Sequence, residues 1–382
     1  MAPRGTGYGC DVNGGDAPRR RVGVEEELFL FDADTLALRP VSGRILREDG
    51  ERHPDDDGHI ARIQQELFLE QVETATEPCG TLAELCDQVR EGRRRAALDA
   101  EASGAVLAAA GTVIDEPTAM TQKSRYQRMT DLHGAIAREN LICGTHVHVE
   151  IADDAEAVRV LDRIQPWLPV VLAVSANSPF WHGQDSGYAS FRAQVVRRWP
   201  TAGPTEPFGT PRDYHDAVAD LINSGAALDE GMIYFDARLA VNYPTLEIRV
   251  ADTCTEITDT VLVAALSRAL VETAATQDCV PQWRIELLRA AAWQASRWGL
   301  SRELVHPVHR VPRPAFEVVD ALLDHVGSAL DAAGDTGTVR GTIEDLRIRG
   351  TGSVRQRAAF AQHSSGPDVI RDLIERTRAT YS

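Results

Sequence analysis

Apolar and polar residues alternate over residues 22–31, which is the pattern of a β-strand with one face turned to a core. Valine and leucine occupy most of the even-numbered positions, and Glu26 interrupts that set. Further short apolar or β-branched runs are bounded by turn residues, which is typical of strands. We predict the other strands at residues 72–76, 105–113 and 146–151, with two more between residues 232 and 250.

The helices are indicated by end signals as well as by periodicity. Thr81-Leu-Ala-Glu84 has the spacing of a capping box and should begin a long helix that ends near Ser103. The order of elements has no repeated βαβ unit, so it favours an α+β fold with an antiparallel sheet over a doubly wound parallel sheet. Further helices are predicted over residues 60–70, 126–139, 155–165, 214–228, 257–277, 283–297 and much of 315–380, with a glycine-rich interruption at 350–352.

Composition and charge narrow the class of protein. The chain has 382 residues, 43% of them apolar, and a formal net charge of −17, which argues against general nucleic-acid binding. No apolar run approaches the roughly 20 residues that span a bilayer, so we expect no membrane insertion. Six cysteines without CxxC spacing favour reduced thiols and a cytoplasmic location. Residues 1–20, rich in Gly, Pro, Asp and Arg, are interpreted as a flexible leader.

The most informative residues are charged and ligating side chains inside apolar strands. Burying a carboxylate in such a strand is costly unless a cation pairs with it. Residues two apart in a strand share a face, so residues of this kind on several strands could surround one space. Oxygen ligands suit Mg²⁺ or Mn²⁺, and imidazole adds Zn²⁺ to the candidates. The residues concerned are Glu25, Glu27, Glu73, His146, His148, Glu247 and Arg249.

Each of these residues also has a purely structural interpretation. Glu25 and Glu27 would suit the solvated face of an edge strand, and His146 and His148 could be buried structural residues. Glu247 could form an internal salt bridge with Arg249, while Glu66 and Glu70 would suit a helix face. Cys143 is interpreted as a core cysteine rather than a nucleophile. Spacing alone therefore supports a metal-dependent enzyme, and a metal-dependent hydrolase stays open as an alternative.

Eight short motifs occur in an order that resembles a known family. They are Val22-Gly-Val-Glu-Glu-Glu27, Gln71-Val-Glu-Thr-Ala-Thr76, Ser124-Arg-Tyr-Gln-Arg-Met129, Cys143-Gly-Thr-His-Val-His148, Ser175-Ala-Asn-Ser-Pro-Phe180, Gly187-Tyr-Ala-Ser-Phe-Arg192, Pro200-Thr-Ala-Gly203 and Leu246-Glu-Ile-Arg249. Each motif alone is weak. Together they resemble the type-2 glutamate–cysteine ligases, also called carboxylate–amine ligases, over nearly the whole chain.

The resemblance implies a single glutamine-synthetase-like catalytic domain over residues 21–382. Such a domain has a curved, mainly antiparallel sheet of about six strands, helices packed outside and an active site on the concave face. The resemblance also implies ATP-dependent ligation with Mg²⁺, or alternatively Mn²⁺, in which a phosphorylated carboxylate is attacked by an amine. The default substrates are the γ-carboxylate of L-glutamate and the amine of L-cysteine, giving γ-glutamylcysteine.

The resemblance assigns roles to individual residues. The expected metal ligands are Glu25, Glu27, Glu66, Glu73, His146 and Glu247. The residues expected to act on the transferring phosphate or the acid are Arg192 and Arg249. Those expected to line the substrate side are Arg125, Tyr126, Tyr188 and Arg192, and those expected near the nucleotide are His148, Arg355 and Gln356. Glu70 is one candidate for accepting the proton that the amine loses.

No motif specifies the second substrate. The same ligation with a different acid or amine in a biosynthetic pathway is therefore kept as an alternative. Asn177 and residues 181–185 lie in the variable region near the site and could serve either substrate. We expect small-molecule amino acid and amine substrates, no nucleic-acid or membrane partner, and a homodimer.

Overall fold

The computed structural model describes residues 19–52, 62–114, 119–277, 280, 282–363 and 365–382, and the structural statements below concern those residues. The strands are β1 Val22–Asp32, β2 Arg62–Gln65, β3 Gln71–Ala75, β4 Ala105–Ala108, β5 Gly144–Glu150, β6 Phe180–Trp181, β7 Gln184–Asp185, β8 Ala237–Leu239, β9 Thr245–Asp252, β10 Glu303–Val305 and β11 Pro312–Pro314. The helices are α1 Ser42–Arg52, α2 Leu82–Ala102, α3 Ser124–His133, α4 Ala135–Arg138, α5 Asp154–Ile164, α6 Leu168–Ser175, α7 Arg192–Val196, α8 Pro211–Asn223, α9 Ile257–Thr276, α10 Ile285–Trp298, α11 Ala315–His325, α12 Gly327–Ala333, α13 Thr336–Arg349, α14 Gly352–His363 and α15 Gly366–Ala379, with a 3₁₀ turn at Glu230–Met232.

One seven-stranded sheet organises the chain. Its strands follow the order β2-β3-β1-β5-β9-β8, and β4 pairs with the end of β1 beyond β5. Every pairing in this sheet is antiparallel. The prediction of an α+β fold with an antiparallel sheet is therefore confirmed.

The two faces of β1 have different surroundings. Val22, Val24, Leu28 and Leu30 are at most 2% exposed and belong to apolar clusters that include residues of the long helix α2. The helices α2 and α9 both contact the strands of this sheet. Because side chains alternate along a strand, the odd-numbered glutamates of β1 are turned to the opposite face. The apolar set thus anchors the strand while its other face stays available for polar chemistry.

Glu26, which interrupts the apolar set, is matched by a buried arginine. Arg93 of α2 is fully buried, and its guanidinium donates to both carboxylate oxygens of Glu26 at 2.9 and 2.7 Å. The same guanidinium donates to the carbonyl oxygens of Cys254 and Thr255, each at 2.7 Å. The Thr260 hydroxyl donates to Glu26 at 2.6 Å. This network links the sheet to α2 and α9, and every charged oxygen in it has a partner.

Several element boundaries differ from the sequence prediction. The predicted helix over residues 60–70 is wrong, because Arg62–Gln65 pairs with β3 as an edge strand and buries Ile63. The acidic sequence of residues 48–59, broken by Gly and Pro, predicts a loop, but residues 48–52 belong to α1, and 53–59 lie outside the described residues. The predicted helix over 126–139 is divided at Gly134, which has a φ of +59° that favours glycine. The capping box at Thr81 is confirmed, with both reciprocal hydrogen bonds present.

The structure describes only part of the predicted leader and four of the six cysteines. Residues 1–18 of the predicted leader lie outside the described residues, whereas Arg20 forms ion pairs with Glu156 at 2.8 Å and Glu272 at 2.5 Å. The four described cysteines are free thiols, and Cys10 and Cys279 fall outside the described part. None of the described helices combines the length and apolar character that crossing a membrane requires.

Replacing Arg93 should expose how much the sheet depends on this buried pair. We expect Arg93→Leu to lower the free energy of unfolding by about 3–5 kcal/mol, because it leaves the Glu26 carboxylate buried without its cation. Denaturant titration of the purified protein measures this. The neighbouring Arg94, which pairs with Glu91 on the surface, provides the control, and Arg94→Leu should cost less than about 1 kcal/mol. Equal effects of the two substitutions would contradict the assignment.

Candidate active site

Four neighbouring strands carry the predicted ligands on one face of the sheet. β3, β1, β5 and β9 are adjacent in the sheet order, so residues opposite one another across them are close in space. A register shift in β5 lies between Thr145 and Val147, which is where His146 stands. The register brings the predicted residues next to one another across these strands. The cross-strand pairs are Glu27 with Glu73, Glu25 with His146, and His148 with Glu247.

These side chains form a row of three overlapping groups. In each group the ligand atoms all lie within 4.8 Å of one another. Neighbouring groups share a carboxylate, either Glu73 or Glu25, so the three groups are continuous along the sheet. Glu66 joins the row from the turn after β2, not from a helix face. The three groups are Glu27 with Glu66 and Glu73, Glu25 with Glu73 and His146, and Glu25 with His148 and Glu247.

One end of the row holds carboxylates whose charge is poorly balanced. Burial, followed by repulsion from Glu66, raises the pKa of Glu27 to about 8. Burial and the neighbouring Glu25, Glu66 and Glu27 raise the pKa of Glu73 well above its usual value. The backbone N–H of Gly144 donates to Glu27 at 2.6 Å but supplies no full charge. A cation bound at this end would relieve both burial and repulsion.

The middle of the row is held by two histidines. His146 Nδ1 lies 3.3 Å from one oxygen of Glu25, and His148 Nε2 lies 3.4 Å from the other. Burial opposes ionisation of Glu25, yet the contacts with both imidazoles hold the pKa of this carboxyl well below its usual value. Burial and the nearby Arg249 lower the pKa of His146 to about 4, so this ring is neutral at pH 7. A neutral imidazole is the form that can ligate a metal.

Arginines hold the other end of the row. Glu247 is 2% exposed and accepts from Arg238 Nε at 2.6 Å and from Arg249 Nη1. Despite burial, these two guanidiniums hold the pKa of Glu247 well below its usual value. Arg249 Nη1 also lies 3.5 Å from His146 Nδ1. The internal salt bridge considered for Glu247 and Arg249 therefore exists, within a group that also has the geometry of a cation site.

Five members of the row, Glu25, Glu27, Glu66, Glu73 and His146, form the floor of a cavity of about 290 Å³, whereas His148 and Glu247 are not among its described lining residues. Five arginines and several aromatic residues line it, so anionic and apolar parts of a ligand both find complementary surfaces. The predicted residues that line it include Glu25, Glu27, Glu66, Glu73, Arg125, Tyr126, His146, Arg192 and Arg249. The other arginines and the aromatic residues of the lining are Arg197, Arg238, Trp199, Tyr234 and Phe235.

Arg192 occupies a buried position against β5. Its side chain is 5% exposed and donates to the carbonyl oxygens of Arg249 at 3.3 Å and Val250 at 3.5 Å. Its Nε has no hydrogen-bond partner in the described part of the chain. A Cβ on Gly144 would lie 2.1 Å from Arg192 Nη2, so the guanidinium needs a glycine there. Gly144 of one motif is thus required by its contact with Arg192, the last residue of another motif.

Arg125 and Tyr126 line the cavity from α3. Arg125 donates through Nε and Nη2 to both oxygens of Asp229, at 3.0 and 2.8 Å, which fixes the plane of its guanidinium. The Tyr126 hydroxyl donates to the carbonyl oxygen of Gln65 at 3.4 Å. Burial raises the pKa of Tyr126, so its hydroxyl stays protonated and can donate a hydrogen bond.

A second cavity, of about 340 Å³, lies beside Glu25 and His148 of the row. It shares Glu25 with the first cavity and is also lined by His148, Tyr243 and Thr245. His148 Nδ1 is 2.9 Å from the Thr245 hydroxyl, and its ring meets the exposed Tyr243 edge-on, with centroids 6.1 Å apart. Glu25 therefore borders both the arginine-lined first cavity and this second cavity, and His148 lines the second.

Some predicted site residues lie elsewhere. The described lining of the two cavities does not include Tyr188, whose hydroxyl accepts from Trp293 of α10 at 3.2 Å. It also does not include Arg355, which pairs with Glu256 at 2.7 Å. Gln356 is 1% exposed and donates to the Asn177 side chain at 2.8 Å. The structure gives these three a packing role and does not bring them to the row.

The Ser175–Phe180 and Gly187–Arg192 motifs contribute buried hydrogen bonds next to the site. Asp252, at the end of β9, is fully buried and accepts from the Ser178 and Ser190 hydroxyls at 2.6 and 2.7 Å. Asn177 donates its N–H to the same carboxylate at 2.8 Å, and its side chain would meet a Cβ on Gly352 at 1.9 Å. Asn177 is therefore a buried connector, which corrects its interpretation as a substrate residue.

Glu70, considered as a proton acceptor, is also buried away from the cavity. It is 0% exposed, and one carboxylate oxygen accepts from the backbone N–H of Ala119 at 2.9 Å. It does not appear among the described residues that line either cavity. Its position indicates that it holds the segment around residue 119 against β3.

Sequence reasoning missed several residues of the cavity wall. Arg238, Tyr234 and Asp236 lie just before or within β8, which is only three residues long and carries no recognisable motif. Trp199 lies within a long segment with little periodicity. Arg238 could have been found from its place opposite Glu247, but only once the pairing of β8 with β9 was known.

Comparisons of sequence place the chain among known proteins. A family model described as glutamate–cysteine ligase family 2 matches residues 21–375. A protein of Frankia alni with the provisional name glutamate–cysteine ligase 2-2 is 49% identical over 377 residues, covering 95% of this chain and 98% of its own. A protein of Streptomyces avermitilis, provisionally named glutamate–cysteine ligase 2-1, is 44% identical over 369 residues, covering 94% and 99%.

Solved structures share the fold. The glutamate–cysteine ligase of Francisella tularensis, solved in complex with AMP, has a TM-score of 0.67 at 12% identity and covers 96% of this chain and 90% of its own. The bifunctional glutathione synthetase of Pasteurella multocida has a TM-score of 0.69 at 14% identity, covering 95% of this chain and 53% of its own. Since the family model spans nearly the whole chain, the protein belongs to glutamate–cysteine ligase family 2 and is an ATP-dependent ligase.

Proposed function

We propose that the protein joins the γ-carboxylate of L-glutamate to the amine of L-cysteine and forms γ-glutamylcysteine through an acyl phosphate. The observation that carries the proposal is the row of three carboxylate and imidazole groups beside buried arginines. A ligase of this kind must neutralise phosphate charge and hold an anionic acid at the same place. The names of the relatives support the choice of glutamate and cysteine.

The donor set fits Mg²⁺. Glu27, Glu66 and Glu73 offer only oxygen ligands. The half-buried Glu27 and the buried Glu73 have raised pKa values, and a cation would stabilise their charged forms. The two groups that contain an imidazole also suit Mn²⁺. Mg²⁺ held there would supply the positive charge that phosphoryl transfer requires. Glu27 and Glu73 are held on paired strands of the sheet, and Glu66 follows β2 directly.

Two arginines are placed to act on the transferring group. Arg249 contacts both Glu247 and His146, so its guanidinium stands directly beside the row. Arg192 lies against Gly144, whose N–H binds Glu27 at the other end. We assign Arg249 to the phosphoryl group and Arg192 to the reacting carboxylate or its phosphorylated form. Guanidinium groups suit both, since they donate to oxygen anions in a fixed plane.

We assign the acid and the amine to the first cavity and the nucleotide to the second. The first is rich in arginine and suits the acid and the amine, with Arg125 and Tyr126 on its wall. The second, beside His148 and Tyr243, suits the nucleotide, because an exposed aromatic ring offers a stacking surface for a base. The AMP complex of the Francisella tularensis enzyme supports a nucleotide site in this fold. Glu25, which borders both cavities, would then lie where the phosphates pass from one to the other.

Ligation should require every component. ADP release, followed by a coupled assay, should appear only with glutamate, cysteine, ATP and Mg²⁺ together, and mass spectrometry should find γ-glutamylcysteine. Glu247→Gln should lower the rate more than about a hundredfold because it removes a ligand and an arginine partner. The exposed Glu317→Gln is the control and should be unchanged. Activity with another amine or acid would redirect the substrate proposal, and Zn²⁺-dependent hydrolysis without ATP would refute ligation.

The metal-free protein should lose stability as pH rises towards 8. The pKa of Glu27 is about 8 in the folded protein and 4.5 in the unfolded chain. Between pH 4.5 and pH 8, Glu27 therefore keeps its proton in the folded protein but loses it in the unfolded chain. Stability from this residue therefore falls with rising pH across that window. Glu27→Gln should raise the Tm and flatten its decline between about pH 5 and pH 8. Mg²⁺ should raise the Tm of the unaltered protein most at pH 8; an identical pH profile in both proteins would count against the assignment.

Gly144→Ala should act through Arg192. The added Cβ would collide with the guanidinium, so the arginine must move while the strand persists. We expect kcat to fall at least about tenfold, as for a displaced catalytic group, with little change in far-ultraviolet circular dichroism. Gly50, which has no atom within 4 Å of an added Cβ, is the matched control. Unchanged kcat in Gly144→Ala would remove Arg192 from the mechanism.

A further inference from the structure

Asp236 differs from the other acids that line the first cavity. Among the described lining residues, the remaining carboxylates all belong to the row of cation groups. Asp236 stands on the wall, where its side chain is 13% exposed and lies 3.3 Å from Arg197. Burial raises its pKa, and the positive charges of Arg197 and Arg192 oppose that rise. A carboxylate and a guanidinium are therefore presented together to the cavity, and the carboxylate belongs to none of the three candidate cation groups.

The backbone holds Asp236 firmly in this position. Its N–H donates to the carbonyl oxygen of Gly203 at 2.9 Å, and its carbonyl oxygen accepts from the N–H of Arg249 at 3.0 Å. Gly203 has a φ of +115°, a conformation that other residues rarely adopt. The glycine of the Pro200–Gly203 motif, which the proposed chemistry leaves without a role, thus positions this aspartate.

Arg197 comes from the segment that also supplies Arg192. It caps the C-terminal end of α7, five residues after Arg192, and its side chain is 20% exposed. Both arginines line the first cavity. A ligand bound to Arg197 is therefore within the same compartment as the guanidinium that we assign to the reacting carboxylate.

We propose that Asp236 binds the α-ammonium group and Arg197 the α-carboxylate of the acid substrate, so that the enzyme selects an α-amino acid. This inference rests on the proposed function, because it assigns the acid to the first cavity. β8 pairs with β9 so that Ala237 faces Ile248, which places Asp236 next to Arg249. A substrate held by its α-groups on the wall would direct its side-chain carboxylate towards the row. Neighbouring strands are about 4.8 Å apart, so a short side chain suffices.

The test compares L-glutamate with two analogues in the ligation assay. Glutarate lacks the α-ammonium group, and 4-aminobutyrate lacks the α-carboxylate. We expect Asp236→Asn to raise the KM for glutamate about tenfold or more and to leave the KM for glutarate unchanged, because one charged partner is lost. Arg197→Met should raise the KM for glutamate while leaving that for 4-aminobutyrate unchanged. The surface ion pair of Asp320 and Arg347 supplies the controls Asp320→Asn and Arg347→Met.

Binding without turnover separates this inference from the proposed function. The Tm shift caused by glutamate with Mg²⁺ and a non-hydrolysable nucleotide should shrink in both wall variants and persist in both controls. That result supports the inference even if cysteine is not ligated. A KM increase confined to the amine, or an unchanged preference for glutamate over glutarate in Asp236→Asn, would overturn it. If Asp236→Asn does not fold, Arg197→Met decides alone: unchanged glutamate binding in that variant overturns the proposal.

Discussion

The alternation of side chains along β1 places carboxylates on both faces of the central sheet, and much of the structure serves to balance them. On the covered face, Glu26 is satisfied by Arg93 and by the hydroxyl of Thr260. On the other face, Glu25 is held by two histidines, whereas Glu27 lies among further acids. The charge of Glu26 is fully compensated by groups of the protein itself, so its role is structural. The balance around Glu27 is incomplete, and a surplus of buried negative charge is what a cation-dependent site requires.

Much of this could be predicted from the chain alone. Strand periodicity placed Glu25 and Glu27 on one face, and the short motifs gave the order of the remaining ligands. The α+β class followed from the absence of a repeated βαβ unit. Glu66 was assigned as a ligand from the resemblance although its local structure was predicted wrongly, because an edge strand of four residues depends on its pairing with β3 and not on local propensity.

What sequence reasoning could not supply is the wall of the cavity. Arg238 and Asp236 belong to a strand of three residues and the residue before it, and their significance comes from β9 alongside. In the same way, Asn177 belongs to a motif, but its side chain accepts a hydrogen bond from Gln356 over a separation of 179 residues. A motif shows that residue identity matters and does not distinguish a contact with substrate from a contact between helices. Only the tertiary arrangement separates the two.

The cavity floor and its wall are built from different parts of the chain. The floor is a set of paired strands, while the wall around Arg197 and Asp236 comes from the irregular segment between α6 and β9. Strand residues are locked by cross-strand register, whereas the described hydrogen bond of the Arg197 side chain goes to Asp236 and not to a proposed metal ligand. The fold can therefore evolve new substrate preferences while its phosphoryl chemistry stays intact. For protein engineering, the wall is accordingly the place to diversify, and the floor is the place to leave alone.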